Sequence, residues 1–335
     1  MRSGRRSQPL DLLSDQTTWW TQLKRSLVAV VLSYGDGMQC LGLLADLAAH
    51  PDLDASRVVV VHNPSRAGEV LRFTDDVQAT IVENPSNLGY AGGMNVGIAR
   101  ALDLETESVL FLTHDVRIGV SDIDALCDAL ASDRRFAAVG PVLSSPDGSV
   151  FSTGMTRSGL RVKHRATRRP ESPLQPWECN GLDGSVMLWR ASVLAELGGF
   201  DSRFFMYMED VELCARAARA GWKVGSVDGA FAVSVPGGPQ RKAAHAYLRA
   251  RNGLECARGQ GARYVALEAA ALLLDYWRHT PKPGGSRFGQ RDFHLAARAF
   301  RRGATLGILD FLRGRWGPPP ARLLGESDIG STSAS

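Results

Sequence analysis

The chain has 335 residues, 44% of them hydrophobic and 22% charged, and a formal net charge of +4. That length can bury a sizeable core, and the modest excess of Arg suits anionic partners such as nucleotide diphosphates while being too small to argue for nucleic acid. Its five cysteines form no Cys-x-x-Cys pair and its seven histidines no His-x-x-x-His pair, which argues for reduced thiols in a cytoplasmic protein and against a structural zinc.

Residues up to Ser26 read as a polar, weakly ordered leader containing Trp19 and Trp20, and Asp11, Asp15 and Gln16 break any signal-peptide run. Leu27 to Leu32 is a continuous apolar run of strand length, suited to a strand buried on both faces. A helix pattern follows over Cys40–Ala49, then a strand over Val58–Val61 and a shorter one over Gln78–Val82. Met94–Leu102 predicts a helix, Val109–Leu112 a strand, Ile123–Leu130 a helix and Phe136–Val139 a strand. Such alternation with short links predicts βαβ units and an α/β fold with a doubly wound, mostly parallel sheet flanked by helices.

Ser144 to Asn180 breaks the rhythm. It is rich in Ser, Pro, Gly and Arg, including Arg157, Arg161, Lys163, Arg165, Arg168 and Arg169, and reads as an irregular hairpin or a loop over the site. Its basic run either faces solvent or grips phosphate. Lys223 to Val235 reads as one or two short strands. From Ala243 onward the pattern is helical, and the run Tyr264–Trp277 is interrupted by Glu268 and Asp275 and too short to span a bilayer.

After the break Pro281–Gly285, a last amphipathic helix, Phe293–Leu312, carries Arg298, Arg301 and Arg302, with Arg313 and Arg315 following. This basic amphipathic pattern suits a membrane surface or a partner, and equally the packing of an ordinary terminal helix. Gly317-Pro318-Pro319-Pro320 ends structure. The domains expected are a leader over 1–26, an α/β domain over 27–255, a helical region over 256–317 and a disordered tail over 318–335.

The densest chemistry lies between Asp183 and Lys223. Glu209, Asp210 and Glu212 open a helix whose buried stripe is Val211, Leu213, Cys214, Ala217 and Ala218, with Gly221 as its stop. An aromatic-rich connection, Phe200 to Tyr207, precedes it. Carboxylates there can deprotonate a sugar hydroxyl, or merely complement the helix dipole.

In doubly wound sheets, ligands bind at the carboxyl ends of the strands. Three segments follow predicted strands and should converge: His62–Arg66, Asn84–Asn95 and Thr113–Val116. Gly89, Gly92 and Gly93 allow close backbone approach to a ligand, although their spacing is not Gly-x-Gly-x-x-Gly and also suits a plain loop. Asp115 can hold a divalent cation on a diphosphate, or cap a turn.

Taken in order, Val-Val-Leu-Ser-Tyr, Asn-Leu-Gly-Tyr-Ala-Gly-Gly-Met-Asn, Thr-His-Asp-Val and Gly-Gly-Phe-Asp…Phe-Phe-Met-Tyr-Met-Glu-Asp-Val-Glu-Leu-Cys resemble family 2 glycosyltransferases of GT-A fold, most closely the rhamnosyltransferase-like members. The resemblance covers about Leu27 to Asn252, and Arg251-Asn252 and Gly314-Arg315-Trp316-Gly317 also look like features of that subgroup. It implies a nucleotide-diphosphate sugar donor, a divalent metal (Mg2+ or Mn2+) and inversion at the anomeric carbon. The acceptor would be a glycan, a lipid-linked glycan or a small molecule. Ser33, Tyr34 and Asn63 would lie near the nucleobase, with Asn87, Gly89, Gly93, Asn95 and His114 also on the donor side. Asp115 would hold the metal. Asp183, Gly184, Phe205 and Tyr207 would face the acceptor, Asp210 would be the base and Glu209 would orient it or the acceptor. Arg249 and Arg251 could then meet a lipid-linked acceptor's phosphates.

The chain departs from the family pattern at His62, at Thr113-His114 and at Val235, which stands where the family often has a metal-binding His. A sugar-phosphate nucleotidyltransferase and a non-catalytic partner subunit are the alternative readings. The expected location is the cytoplasm, with room for peripheral contact at the inner membrane face and for a homodimer.

Overall fold

The computed structural model describes residues 26–35, 37–65, 79–158, 161–165, 174–234, 242–278 and 290–323. Trp19, Trp20, Arg66, Gln78, Arg168, Arg169, Val235 and the 281–285 break lie outside them, as does most of the leader.

The apolar runs become the buried strands β1 (Leu27–Tyr34) and β2 (Val58–Asn63), with helix α1 (Cys40–Ala48) between them. Next come β3 (Thr80–Glu83), α2 (Gly89–Asp103), β4 (Ser108–Thr113), β5 (Val116–Ile118), α3 (Val120–Ser132) and β6 (Phe136–Ser144). Two layers of core flank the sheet. Leu43 and Leu47 of α1 and Leu126 of α3 meet Val31 and Val60 on one face, while Met94 and Ile98 of α2 meet Val30 and Val61 on the other.

Helix α2 begins at Gly89, not at Met94. Gly92 and Gly93 therefore belong to its first turns rather than to a loop, because the helix lies so close to the sheet. A Cβ on Gly93 would stand 2.5 Å from Leu32 Cδ1 and 2.9 Å from Asn63 Nδ2, and one on Gly97 would run into Val30.

Within Ser144–Asn180, β7 (Val150–Ser152) pairs with β6, and β8 (Met155–Ser158) and β9 (Arg161–His164) form a hairpin. β10 (Trp177–Cys179) closes the stretch, and Arg165 stacks over the Trp177 ring at 4.7 Å. β11 (Val186–Arg190), α4 (Ala191–Leu197), α5 (Glu209–Arg219) and β12 (Lys223–Ser234) complete the sheet region. β12 is a single strand of 12 residues.

The sheet order is β10-β12-β6-β11-β4-β1-β2-β3. Its β4-β1-β2-β3 half is parallel, as is β6 with β12. The sequence pattern did not single out β11, which is inserted antiparallel between β4 and β6.

Helices α6 (Lys242–Arg258), α7 (Ala262–Arg278) and α8 (Gln290–Leu312) cover one end. α6 runs across the boundary drawn at 255/256, so the helical region starts earlier and belongs to the same wall as the site. α8 packs on α6 through Gly303 and Gly307, where a Cβ would run into the backbone of Ala243 and Tyr247. That close approach is the behaviour of a packed terminal helix, although Leu309 and Leu312 stay exposed. Among the described residues, no helix is long and apolar enough to cross a membrane. Structure also continues past Gly317: Ala321–Leu323 forms a 3-10 turn with Leu323 buried, because this proline-rich segment packs in extended form against the helices instead of ending the fold.

Candidate active site

A cavity of about 790 Å³ opens at the carboxyl ends of β1, β2 and β4. Tyr34, Asn63, Asn87, Gly89, His114 and Asp115 line one side. Asp183, Gly184, Phe205, Tyr207, Glu209 and Asp210 line the other. Three residues expected at the site stand elsewhere. Ser33 is buried within β1 beside Cys40, and Gly93 is a packing position beneath Asn63. Asn95 accepts from Phe200 N and donates to Phe200 O, both at 2.8 Å, and so pins the aromatic connection.

On the strand side Asn63 organises the turn into α2. Its Nδ2 donates to Gly89 O at 2.8 Å, while its Oδ1 accepts from Asn84 Nδ2 at 2.9 Å and Leu88 N at 3.3 Å. Gly89 has φ +72, and a Cβ there would collide with Phe205 O, so only glycine fits. His114 Nδ1 lies 3.3 Å from Leu32 O; donation to that carbonyl leaves the lone pair on Nε2. Asp115 follows at the end of β4, half-buried in the cavity wall. Among the described residues no three His, Cys, Asp or Glu side chains group as a metal site. One carboxylate in a cavity of this size fits magnesium or manganese held mainly by substrate phosphates and water, because hard cations accept such sparse protein ligation.

On the opposite side the chain enters α5 through a strained loop. Phe205, Tyr207 and Met208 have positive φ of 64, 68 and 74, sparsely populated conformations costing on the order of 1–3 kcal/mol for each non-glycine residue. Phe205 O accepts from Ala91 N at 3.2 Å, tying the loop to the start of α2. The loop delivers two carboxylates with different surroundings. Asp210 Oδ1 accepts from Val211 N at 2.7 Å and Oδ2 from Gly184 N at 3.1 Å. Glu209 is buried, and its Oε2 has no hydrogen-bond partner among the described residues.

Burial, and then the charge of Asp183, push the Asp210 carboxyl up to about 6, against the pull of the Val211 and Gly184 N–H groups and Arg249. Burial, and then Asp210, push Glu209 well above the usual carboxylate range. The pair is thus split: burial biases Glu209 toward its neutral form, while Asp210 is oriented and stabilised by two backbone N–H groups.

Several wall residues carried no signal in the sequence. Tyr90 donates its hydroxyl to Gly184 O, although it sits inside the glycine motif. His164 of β9 lies 3.8 Å from Asp183 and 2.9 Å from Ser152 Oγ. His245 meets the Tyr207 ring edge-on at 4.7 Å, and Pro318 and Pro319 close the wall from the C-terminal segment. Arg249 lines the cavity. Arg251 does not: it is fully buried, with its donors on main-chain carbonyls, and no phosphate can reach it. The five cysteines are all buried, and none is in a disulfide.

A family model described as glycosyltransferase-like family 2 matches residues 25–253. The chain is 32% identical over 223 residues to the N-acetylglucosaminyl-diphospho-decaprenol L-rhamnosyltransferase of Mycobacterium tuberculosis, covering 58% of this chain and 71% of that protein. It is 30% identical over 172 residues to the low-salt glycan biosynthesis hexosyltransferase Agl10 of Haloferax volcanii, covering 50% and 55%. Among solved structures it is similar to GalNAc-T7 with UDP, GalNAc and Mn2+, with a TM-score of 0.53 at 13% identity, covering 88% of this chain and 58% of that one. At that identity the likeness concerns the fold, which is of GT-A type.

Proposed function

The chain belongs to glycosyltransferase-like family 2, and on that premise we propose that it is an inverting glycosyltransferase in which Asp210 is the general base. The observation that carries this reading is the split pair at the start of α5. Asp210 faces the cavity with its carboxylate oriented by two backbone N–H groups, whereas burial pushes the Glu209 carboxyl toward its neutral form.

An acceptor hydroxyl held between Asp183, Gly184 and Tyr207 would attack C1 of the donor sugar while Asp210 takes its proton. The C1–oxygen bond to the nucleoside diphosphate breaks, and the diphosphate leaves with the electron pair from the opposite face. One carboxylate suffices, and no sugar–enzyme bond forms. Asp115 would hold Mg2+ or Mn2+, whose chemistry when bound is to neutralise charge on the departing diphosphate. Tyr34, Asn63, Asn87 and His114 would bind and orient the nucleotide, and the aromatic walls at Phe205 and Tyr207 would exclude water and stack on a sugar face.

The test is release of nucleoside diphosphate from UDP-, GDP- and dTDP-linked sugars, with and without glycan or lipid-linked acceptors. Acceptor-dependent release is expected. Because a base must be ionised, the limiting rate should fall about tenfold per pH unit below about 6 and level off above it. A rate flat from pH 5 to 8, or falling as pH rises through 6, would exclude Asp210 as base.

The acceptor class we favour is lipid-linked, since the Mycobacterium tuberculosis relative is named for a decaprenol diphosphate. The surface supports this. Leu273 and Leu274 of α7 and Leu312 of α8 are 59%, 56% and 72% exposed, Arg302 lies exposed on α8 and Arg313 exposed just past its end. Leucines beside arginines suit an anionic bilayer at the cytoplasmic face. The protein is expected to co-sediment with phosphatidylglycerol vesicles at low salt and to release at high salt. Absence of binding at low salt excludes the membrane contact.

A further inference from the structure

One face of α6 grips the loop that delivers Glu209 and Asp210. Asn252, fully buried, donates from Nδ2 to the carbonyls of Phe204, Met206 and Tyr207 at 2.9, 2.9 and 2.8 Å. Arg251, also fully buried, donates to Phe204 O at 3.1 Å and to Gly317 O at 2.8 Å. Its Nε donates to Asn252 Oδ1 at 2.9 Å, which fixes the amide with its N–H groups turned to the loop. The guanidinium lies 5.2 Å from the Tyr247 ring centre and 5.6 Å from that of Trp316. Farther along the same helix, Arg249 Nη1 reaches Met208 Sδ at 3.3 Å and Cys256 Sγ reaches Met208 O at 3.5 Å.

The gripped carbonyls lie within the segment whose backbone has positive φ at Phe205, Tyr207 and Met208. Such a conformation persists in non-glycine residues only where the surroundings over-determine it. The segment runs directly into Glu209, so the path of the loop sets where the Asp210 carboxylate points. Among the described residues Arg251 has no carboxylate at ion-pair distance, and a buried cation that spends its donors on three main-chain oxygens, the Tyr247 hydroxyl and the Asn252 amide is placed to fix backbone rather than to bind substrate.

We propose that Arg251 and Asn252 are positioning residues: they hold the strained loop 205–208 and thereby aim Asp210 at the acceptor hydroxyl. Neither lines the cavity, and neither touches the reacting atoms. The proposal rests on the reading of Asp210 as base.

The test uses the full chain carrying Asn252→Asp, which keeps the side-chain size and removes both N–H donors, and separately Arg251→Lys, which keeps the charge and removes the fork. Rates of transfer, donor KM and amide hydrogen exchange are measured together. A misplacement of about 1 Å can cost on the order of 10²-fold. Asn252→Asp is therefore expected to lower kcat by about 10²-fold and Arg251→Lys by about tenfold, with donor KM unchanged. Exchange should quicken over residues 203–210 while β1 and β4 stay protected. Parental kcat in both variants overturns the proposal. So does a loss in which donor KM and the protection of β1 and β4 fail in step with kcat, because that marks a purely structural role. If Asn252→Asp does not fold, Arg251→Lys decides. Parental turnover in Asp210→Asn would sink the base assignment alone, and the exchange over 203–210 would still judge the grip.

Discussion

Asp210→Asn is expected to slow glycosyl transfer by about 10²–10⁴-fold while leaving donor binding intact, the range typical for loss of a general base. The substitution is nearly isosteric. Its amide oxygen can still accept from Val211 N or Gly184 N, so the start of α5 and the Gly184 turn have reason to stay in place. What is lost is the ability to take a proton. Glu209→Gln makes the contrast. Glu209 is buried and biased to its neutral form, so replacing it by a neutral amide removes little charge at working pH. Its rate should fall far less, and the Asp210 titration should stay in place, because burial and Asp183 are what raise it. Rates are compared at saturating donor, with donor affinity measured separately by calorimetry. Near-normal turnover in Asp210→Asn together with an inactive Glu209→Gln would move the base one residue upstream.

Asp115→Ala should abolish the part of donor affinity that depends on Mg2+ or Mn2+. A single carboxylate is offered to the ion, so most of its ligands must come from the diphosphate and water, and removing that carboxylate takes away the protein's grip. The fold has little reason to suffer, since Asp115 sits half-buried at a strand end and not in either core layer. Calorimetric titration of a nucleoside diphosphate with metal, and again with chelator, reads the effect. Equal affinity under both conditions in the parent protein would mean that the diphosphate is held without metal, by the chain alone.

Much of the frame can be read from residues because burial on both faces forces it. Runs such as Val28–Leu32 and Val58–Val61 have no polar side to offer solvent, and they become the central parallel strands. Val186–Trp189 is just as apolar, yet a short apolar run suits helix and strand alike, and only its neighbours β4 and β6 make it an antiparallel strand. The glycines at 89, 92 and 93 read as loop because local rules treat such clusters as breakers. Their absent side chains serve a helix pressed onto Leu32, Asn63 and Phe205, a tertiary reason that no local window holds.

The site divides in the same way. Asp115 and Asp210 stand in motifs and at element ends, so the sequence marks them as candidates, and both line the cavity. His164, His245 and Pro318 reach the cavity only through the fold, and Arg251 carries a charge that suggests phosphate until its burial is seen.

The proline segment that closes the cavity has a consequence for when the protein becomes active. Domains made on the ribosome fold in the order in which their parts emerge. The strand side of the cavity, β1 through β4, can form first, and Asp210 follows it. The wall stays open until α6 is available and Pro318 and Pro319 have cleared the exit tunnel. A nascent chain therefore holds the strand side of the cavity before the wall of α6, Pro318 and Pro319 exists to enclose it.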